Sequence, residues 1–331
     1  MPKKYDLICI GDVVIDAFIT LKEATVHCDA KHENCQLCMS FADKIPYESL
    51  VVAPAVGNSS NVAVAASRLG LKTAILTAVG NDHYGKEVLN VYRKERVSQE
   101  YVKINKGKPT NYHFVLNFKA ERTILIKHQD YEYFDPRKLG GAGWIYFSSI
   151  GEHTLPFHAR VAEYLAKNPG VKLGFNPGTF QLRFGAKKLK EIYKRTYVLF
   201  VNREEAEHIL ETEKSAIKPL FEGLHKLGPK VVVITDGPKG AYASDGERRY
   251  FMPPYPDPKP PISRTGAGDA FSAGFFCALI HGLSVPDALR WAPIESMHVV
   301  QFFGAQTGLL KKSELLALLA KAPKNYMPKE I

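Results

Sequence analysis

Short apolar runs alternate with longer amphipathic segments along most of the chain, and this alternation limits the possible folds more than any other feature. The first run, 5–12, is predicted to be a buried strand that ends in a Gly-Asp turn. Further strands are predicted at 71–79, 143–150, 171–175, 197–201 and 230–235, with helices at 82–95 and 155–167 between them. Because strands joined by helices run parallel, we expect an α/β fold with a doubly wound, mostly parallel sheet flanked by helices.

The size and composition suit one globular domain over residues 1–331. Hydrophobic residues make up 45% of the chain and charged residues 24%, which are ordinary proportions. The net charge of +10 suits an anionic small-molecule ligand, or is simply a basic surface. Lysine and arginine are scattered rather than arranged in a stripe, which argues against nucleic acid as a partner.

The sequence shows no feature of a membrane or secreted protein. No apolar run approaches the roughly 20 residues that span a bilayer, so no membrane association is expected. The stretch Met1 to Asp6 leads into an apolar run that is too short for a secretion signal. We therefore expect a cytoplasmic protein with reduced thiols.

Residues 17–54 interrupt the alternation of strands and helices. They contain short β-like pieces separated by polar turns, and 112–118 with 123–127 alternate like a hairpin. Together these segments (17–54 with about 108–128) are predicted to form an inserted β-sheet lid. The insert also carries five residues that could either bind zinc or remain without a metal, namely His27, Cys28, His32, Cys35 and Cys38.

A glycine-rich segment, 263–275, predicts an anion site. Gly266, Ala267 and Gly268 permit a ligand to approach closely, and Asp269 follows them directly before an apolar helix. The N-terminus of a helix exposes free N–H groups and favours anions. A carboxylate beside a phosphate is repulsive unless it accepts a proton from an attacking hydroxyl. The alternative from these residues alone is a glycine-rich turn in which Asp269 caps the helix.

Two further polar segments lie beside predicted strands and helices. Asp12 and Asp16 follow the first strand, and the carboxyl edge of a parallel sheet is where ligands bind. Two carboxylates there suit sugar hydroxyls, although a turn residue and a surface acid would give the same pattern. Gly57 to Asn61 form a polar turn, and the amides of Asn58 and Asn61 can both donate and accept hydrogen bonds.

A dinucleotide-binding oxidoreductase is the main rival for such a sheet. It requires Gly-x-Gly-x-x-Gly directly after a strand, whereas residues 11–16 contain only the first glycine. A Walker A loop is also absent from the sequence.

Five motifs resemble those of the ribokinase-like, phosphofructokinase B-type sugar and nucleoside kinases, and the resemblance covers nearly the whole chain. The motifs are Gly57-Asn58-Ser59-Ser60-Asn61-Val62-Ala63, Asn202-x-x-Glu205, Thr235-Asp236-Gly237-Pro238-Lys239-Gly240-Ala241, Thr265-Gly266-Ala267-Gly268-Asp269-Ala270-Phe271 and Gly304-Ala305. The resemblance implies a ribokinase-like fold, ATP and Mg²⁺ as cofactors, and a sugar or nucleoside as acceptor. It also implies a homodimer formed through the lid.

The resemblance implies a role for each matching residue. Asp269 would be the catalytic base, beside an anion hole formed by Gly266, Ala267 and Gly268. The acceptor would be bound by Asp12, Asp16, Gly57, Asn58 and Asn61. The nucleotide would be bound by Asn202, Glu205, Thr235, Gly237, Gly240, Arg264, Thr265, Gly304 and Ala305, with Glu205 holding Mg²⁺ through water.

Several residues depart from the family pattern. Val56 replaces a glycine, which narrows the acceptor side. Ser263 replaces an aspartate that binds an activating monovalent cation in some relatives, so potassium dependence stays open. Arg264 either supplies that positive charge, reaches a substrate phosphate or faces solvent. Glu295 either alters the nucleotide preference or faces water.

The sequence therefore predicts an ATP-dependent kinase of a small sugar (ribose, fructose or keto-deoxy sugar acid type) with Asp269 as general base. A nucleoside kinase of the same family and a non-catalytic sugar- or nucleotide-binding regulator are the alternatives. An anionic acceptor would need a cation, and the candidates are Arg122, Lys127, Arg183 and Arg264. A nucleoside would need an aromatic partner, and the candidates are Tyr112, Phe114 and Phe180.

Overall fold

The computed structural model describes residues 4–29, 35–119 and 121–331. Its strands are β1 (Tyr5–Ile10), β2 (Val14–Leu21), β3 (Thr25–Cys28), β4 (Cys35–Cys38), β5 (Tyr47–Val56), β6 (Thr73–Gly80), β7 (Ser98–Asn105), β8 (Tyr112–Phe118), β9 (Glu121–Leu125), β10 (Ala142–Phe147), β11 (Lys172–Phe175), β12 (Thr196–Asn202), β13 (Val231–Thr235), β14 (Ala241–Ser244), β15 (Arg249–Met252) and β16 (Lys329–Glu330). Its α-helices are α1 (Asn58–Arg68), α2 (His83–Lys94), α3 (Leu155–Lys167), α4 (Thr179–Lys188), α5 (Lys190–Tyr193), α6 (Arg203–Ile209), α7 (Ile217–Lys226), α8 (Ala267–Ile280), α9 (Val285–Val299) and α10 (Lys312–Ala320). Within the described ranges, no helix combines the length and the apolar character needed to cross a membrane.

The main sheet has ten strands in the order β16-β15-β14-β13-β12-β11-β10-β1-β6-β7. The seven strands from β13 to β7 in this order pair in parallel. The other three form an antiparallel edge. The predicted doubly wound, mostly parallel sheet is therefore confirmed. Strand β1 lies where the strand order reverses, between β10 and β6, so a ligand is expected in the crevice beyond its carboxyl end.

Helices cover both faces of the main sheet, and its central strands are therefore apolar on both sides. On one face α8 packs with α1 and α9, and Phe276 of α8 lies edge-on to Trp144 with ring centroids 5.2 Å apart. An added Cβ on Gly174 would lie 2.6 Å from the Phe276 ring, so α8 rests directly on β11. On the other face Phe157 of α3 and Phe221 of α7 are fully buried. This packing fixes the position of the loop that precedes α8.

The second sheet has the order β5-β2-β8-β9 and corresponds to the segments predicted as a lid. Its strands extend beyond the predicted 17–54, because β2 begins at Val14 and β5 ends at Val56. Asp16, predicted to follow β1 at the carboxyl edge of the sheet, therefore lies inside β2. β1 and β2 are hard to separate in the sequence because Val13, which lies between them, is buried like Val14 and Ile15 at the start of β2.

The strand register assigns the lid side chains to two faces. The inner face carries Asp16 beside His113, then Phe18 beside Val115, then Thr20 beside Asn117 and Arg122. The outer face carries a row of four apolar residues: Val52, Ala17, Phe114 and Leu125. The inner face covers the main domain, since Asp16 and His113 are largely buried.

The entry of the chain into β8 is fixed by Asp82, the N-cap of α2. Its carboxylate accepts from the backbone N of Gly85 at 2.8 Å. It also accepts from Thr110, at 2.8 Å from the backbone N and 2.6 Å from the hydroxyl. Next to Thr110, the carbonyl of Asn111 accepts from the backbone N of Ile15 in β2 at 2.9 Å. β2 and β8, two of the strands that connect the lid to the main domain, are therefore joined at their roots.

Strands β3 and β4 form a separate, exposed hairpin. Cys28 and Cys35 face each other across it and form a disulfide, so the expectation of reduced thiols is wrong for this pair. Among residues 4–29, 35–119 and 121–331, no group of three or more His, Cys, Asp or Glu side chains could hold a metal ion. His32 lies outside the described residues, as do Met1 to Lys3 and Ala120.

Candidate active site

The loop before α8 has the geometry of an anion site. Gly266 is the N-cap and has a φ of 80°, a conformation that favours glycine. An added Cβ there would lie 2.5 Å from the Cβ of Ala305, so the Gly304–Ala305 turn packs directly on this loop. The first α-helical bond runs from Ala270 N to Gly266 O, 2.9 Å. The N–H groups of Gly268 and Asp269 therefore precede the hydrogen-bonded part of the helix and are free to bind an anion.

Asp269 lies in the first turn of α8, and two amides hold its carboxylate. Asn58 Nδ2 donates to Oδ1 at 2.8 Å, and Asn61 Nδ2 donates to Oδ2 at 2.7 Å. Burial raises the pKa of Asp269, while the two amides oppose this rise by stabilising the charged form. The structure thus joins two residues predicted for acceptor binding to the predicted base.

Gln306 orients one of these amides and was not recognised in the sequence. Its Nε2 donates to Asn61 Oδ1 at 3.0 Å and to the carbonyl of Ala55 at 2.6 Å. With its oxygen engaged, the Asn61 amide must turn its nitrogen toward Asp269. No local pattern marks Gln306, because its partner lies 245 positions away in the chain.

Asp12 lies beyond the carboxyl end of β1, where the sequence placed it, and is buried. His128 Nδ1 lies 2.8 Å from Oδ2, and the hydroxyl of Tyr133 donates to Oδ1 at 2.6 Å. Gly57 has a φ of 116°, and an added Cβ would lie 2.7 Å from the carbonyl oxygen of Asp12. Sequence reasoning missed His128 and Tyr133, which follow the predicted lid hairpin without a distinctive motif.

Asp16 lies on the inner face of the lid, near Asp269. Burial raises the pKa of Asp16 to about 6, Arg122 opposes the rise and Asp269 adds to it. His113 Nδ1 is 3.6 Å from Asp16 Oδ1, which is too long for a hydrogen bond. Burial also lowers the pKa of His113 to about 4, so this imidazole is neutral near pH 7. Asp16 Oδ1 and His113 Nε2 are buried and have no hydrogen-bond partner in the described structure, so both can bind a hydroxyl.

The residues predicted for the nucleotide lie at the same edge of the sheet. Asn202 ends β12 and pairs with Thr235, the last residue of β13. Asn202 Oδ1 accepts from the backbone N of Glu205 at 2.7 Å, and Glu205 Oε2 accepts from Asn202 N at 2.8 Å. This reciprocal capping box gives both side chains a structural role at the start of α6. Burial raises the pKa of Glu205, and the Asp269 carboxylate adds to the rise, so the two acids are electrostatic neighbours.

The remaining predicted residues lie in turns around this edge. After β13, a short 3₁₀ turn begins at Gly237 and is capped by Gly240. Asp236 N donates to Gly240 O at 2.9 Å and closes this turn. Thr265 Oγ1 is buried and has no hydrogen-bond partner in the described structure. Arg264 is exposed beside it and lines a cavity under the lid.

Glu295 does not face water, contrary to one of the two predicted alternatives. It is fully buried in α9, where Oε2 accepts from the backbone N of Leu310 at 3.3 Å. Burial raises the pKa of Glu295 to about 8. An added Cβ on Gly274 of α8 would lie 3.2 Å from Glu295 Cγ, so the acid packs in the interface between the two helices.

Known proteins are similar to this chain along most of its length. An ATP-dependent 6-phosphofructokinase of Thermoanaerobacterium thermosaccharolyticum is 25% identical over 317 residues, which cover 92% of this chain and 90% of that protein. A ribokinase of Bacillus subtilis is 30% identical over 274 residues, covering 80% of this chain and 87% of the ribokinase. A crystal structure of a Methanocaldococcus jannaschii nucleoside kinase superposes with a TM-score of 0.78 at 18% identity, covering 96% of this chain and 99% of that one.

The family model extends over both the lid and the anion loop. It is that of the pfkB family carbohydrate kinases and matches residues 8–312, nearly the whole chain. Together with the similar ribokinase and nucleoside kinase, this match confirms the expected ribokinase-like fold and the expected phosphotransferase activity on a hydroxyl acceptor. The chain belongs to the pfkB family of carbohydrate kinases.

Proposed function

We propose that this protein transfers the γ-phosphoryl group of ATP to a hydroxyl of a small sugar, with Asp269 as the general base. The acceptor would be of the ribose, fructose or keto-deoxy sugar acid type. The observation that carries the proposal is the placement of the Asp269 carboxylate. It is held by two amides in the first turn of α8, next to the free N–H groups of the anion loop.

The reaction follows from this placement. The acceptor oxygen forms a bond to the γ-phosphorus while the bond from that phosphorus to the bridging oxygen of ADP breaks. The hydroxyl proton moves to Asp269, which retains lone pairs beyond those that accept from Asn58 and Asn61. The free N–H groups of Gly268 and Asp269 stabilise negative charge on the phosphoryl oxygens. Burial raises the pKa of Asp269, which makes the carboxylate a stronger base for this transfer.

The residues at the nucleotide edge fit Mg²⁺. Asn202 and Glu205 offer oxygen ligands, and the nearby Asp269 carboxylate raises the affinity of Glu205 for positive charge. Glu205 Oε2 is used in the capping box, so Oε1 is the oxygen that would be left to hold a metal-bound water. When bound, Mg²⁺ would neutralise charge on the β- and γ-phosphates. Asn202 and Glu205 would hold its waters while the capping box keeps them in place.

Asp12 and Asp16 form the acceptor side of the proposed site. His128 and Tyr133 hold both oxygens of Asp12, which fixes its orientation before a sugar arrives. Asp16 Oδ1 and His113 Nε2 have no partner in the described structure and would pair with sugar hydroxyls. The lid would cover the acceptor and exclude water, so that the phosphoryl group is not lost to hydrolysis.

One observation favours a nucleoside as a second candidate acceptor. The ring of Phe180 lies 5.3 Å from that of His128, which in turn holds Asp12. An aromatic ring so close to the acceptor carboxylate could stack on a nucleobase. Tyr112 and Phe114 do not share this position. Their rings contact each other, Tyr112 also contacts Tyr84 of α2, and Phe114 lies on the outer face of the lid.

The test is a panel of sugars, sugar acids, sugar phosphates and nucleosides, assayed with ATP and Mg²⁺ beside Asp269→Asn. We expect the variant to lower kcat for the best acceptor by about 10²- to 10⁴-fold, because the amide cannot accept the proton. Asp257→Asn is the matched control, since Asp257 lies in an exposed loop. If Asp269→Asn keeps the wild-type rate, or no acceptor is phosphorylated, the proposal fails.

We further propose that two copies pair through the outer face of the lid. Val52, Leu50, Phe114 and Leu125 on that face are each 43–53% exposed. A contiguous apolar face of this kind is typical of an interaction surface. Leu50→Asp should convert a dimer to a monomer in light scattering, whereas a wild-type protein that is monomeric at all concentrations would disprove this pairing.

A further inference from the structure

A cavity of about 260 Å³ lies between the lid and the loop that leads to the anion site. Its upper wall is formed by the inner face of the lid, with Thr20, Asn117 and Arg122. Its lower wall is formed by residues 263–265 and Phe303. Since residue 265 immediately precedes the glycines of the anion loop, the cavity opens next to the proposed site of phosphoryl transfer.

The cavity is strongly basic. Lys119 and Arg122 lie on the lid wall and Arg264 on the opposite wall, while Glu48 is the one acid among the lining residues. In the described part of the chain, none of these three cations forms a salt bridge. Cations on facing walls repel each other when the lid approaches the loop. A bound anion would remove that repulsion.

An unpaired amide lies in the same cavity. Asn117 lines it, and Asn117 Nδ2 is buried without a hydrogen-bond partner in the described structure. A buried N–H donor without a partner is costly, and a ligand oxygen would satisfy it. The cavity therefore offers both positive charge and a directed hydrogen-bond donor, which together suit a phosphate or a carboxylate.

Arg122 also lies close to the reacting groups. Its guanidinium counteracts the effect of burial on the pKa of both Asp16 and Asp269. On the inner face, the row of Arg122 is four residues from the row of Asp16, about 13 Å along the strand. The arginine side chain reaches back over part of that distance. One acceptor molecule can thus contact the acceptor carboxylates at one end and the basic cavity at the other.

The structure separates the four cations that the sequence offered for an anionic acceptor. Arg122 and Arg264 meet in this cavity. Arg183 lines a different cavity of about 920 Å³, between α4 and α6. Lys127 is exposed and lies beyond the end of β9.

We propose that the acceptor is a sugar that already carries a phosphate monoester, and that Arg122, Arg264 and Lys119 bind this phosphate with Asn117. This inference rests on the proposed kinase function. Three cations and one amide suit a dianionic phosphate better than a carboxylate, which carries a single charge. The anion so bound is distinct from the phosphoryl group in transfer, which lies on the N-terminus of α8.

The experiment compares fructose, fructose 6-phosphate and the keto-deoxy sugar acid 2-keto-3-deoxygluconate as acceptors for the wild type and Arg122→Gln. We expect the wild type to prefer the sugar phosphate in kcat/KM. In Arg122→Gln, the ratio of kcat/KM for the phosphate to that for the neutral sugar should fall by about 30-fold or more, because a charge-assisted bond is lost. Lys44→Gln, at an exposed lysine of the lid that does not line the cavity, should leave the ratio unchanged.

Calorimetric titration of fructose 6-phosphate without ATP gives a readout that does not depend on turnover. We expect binding to the wild type and much weaker binding to Arg122→Gln. The inference is overturned if neutral sugars are preferred, if the sugar acid is preferred, or if Arg122→Gln lowers kcat for all acceptors equally. The last result would assign Arg122 to the phosphoryl group in transfer. Asp269-dependent phosphorylation of neutral sugars alone would overturn this inference and leave the proposed function intact.

Discussion

Glu295→Gln should make the stability of the protein less dependent on pH. Glu295 is fully buried in α9, and within the described residues its carboxylate accepts one hydrogen bond, from Leu310 N to Oε2. Oε1 has no partner there. Burial raises the pKa of this carboxyl from the ordinary 4.5 to about 8, and the attraction of Arg68 offsets only part of the rise. Glutamine keeps the shape and the acceptor for Leu310 but does not titrate.

The sign of the effect follows from proton counting. Below pH 4.5 the carboxyl is protonated in both the folded and the unfolded state. Between pH 4.5 and about 8 the folded state keeps a proton that the unfolded state has released. The free energy of unfolding therefore falls as pH rises through this window, by about 1.4 kcal/mol per pH unit. From about pH 5.5 to about pH 7.5, this carboxyl alone should lower stability by about 3 kcal/mol.

The assay is urea unfolding of the wild type and Glu295→Gln at these two pH values. The free energy of unfolding of the variant, relative to the wild type, should increase by about 3 kcal/mol between them. Glu247→Gln, at an exposed position in the turn between β14 and β15, is the control and should show a constant difference. A constant difference for Glu295→Gln as well would refute the assignment of a neutral, buried acid.

Three further predictions concern the proposed site. Gly266→Ala should lower both the activity and the free energy of unfolding, the latter by at least about 1 kcal/mol. A side chain at φ 80° is strained, and its Cβ would clash with Ala305. A near-normal melting temperature and rate would contradict this prediction. Gln306→Leu should lower kcat by about 10-fold with a smaller change in acceptor KM. It should also move the acid limb of the pH profile of kcat to higher pH, because a weaker hydrogen bond from Asn61 raises the pKa of Asp269. An unchanged pH profile would show that Gln306 acts only in packing. The KM for the sugar acceptor should rise as pH falls below about 6, where Asp16 becomes protonated and can accept fewer hydrogen bonds from the sugar hydroxyls. Asp16→Asn should show no such rise in steady-state kinetics.

The sequence predicts the main sheet well because its evidence is local. Helix α3 has the predicted bounds, 155–167, and the caps of α2 are the predicted end residues, Asp82 and Glu95. Asp269 lies in the first turn of α8 because glycine-rich turns and helix N-termini are encoded within a few residues. Each of these features depends on neighbours in the chain rather than on tertiary contacts.

The contacts within the site could not be predicted because they join distant segments. The sequence offered Asn58 and Asn61 as acceptor ligands, and nothing local shows that their amides point at a carboxylate more than 200 positions away. His128 and Tyr133 converge on Asp12 across more than 110 positions. Glu295 was misjudged as exposed in one alternative because burial of an acid is decided by helix packing, here of α8 against α9.

The joined roots of β2 and β8 also bear on any motion of the lid against the main domain. The bond from Ile15 N to Asn111 O ties the two strands together where they leave that domain, so a rocking motion of the sheet would displace this root least. Asp82 anchors the root of β8 through Thr110, and Asp12 lies three residues before Ile15 in the root of β2. An acceptor bound at Asp12, as proposed, would lie beside this root, where such a motion displaces it least. Arg122 lies farther from the root, four residues along the strands from the row of Asp16, and would be displaced more.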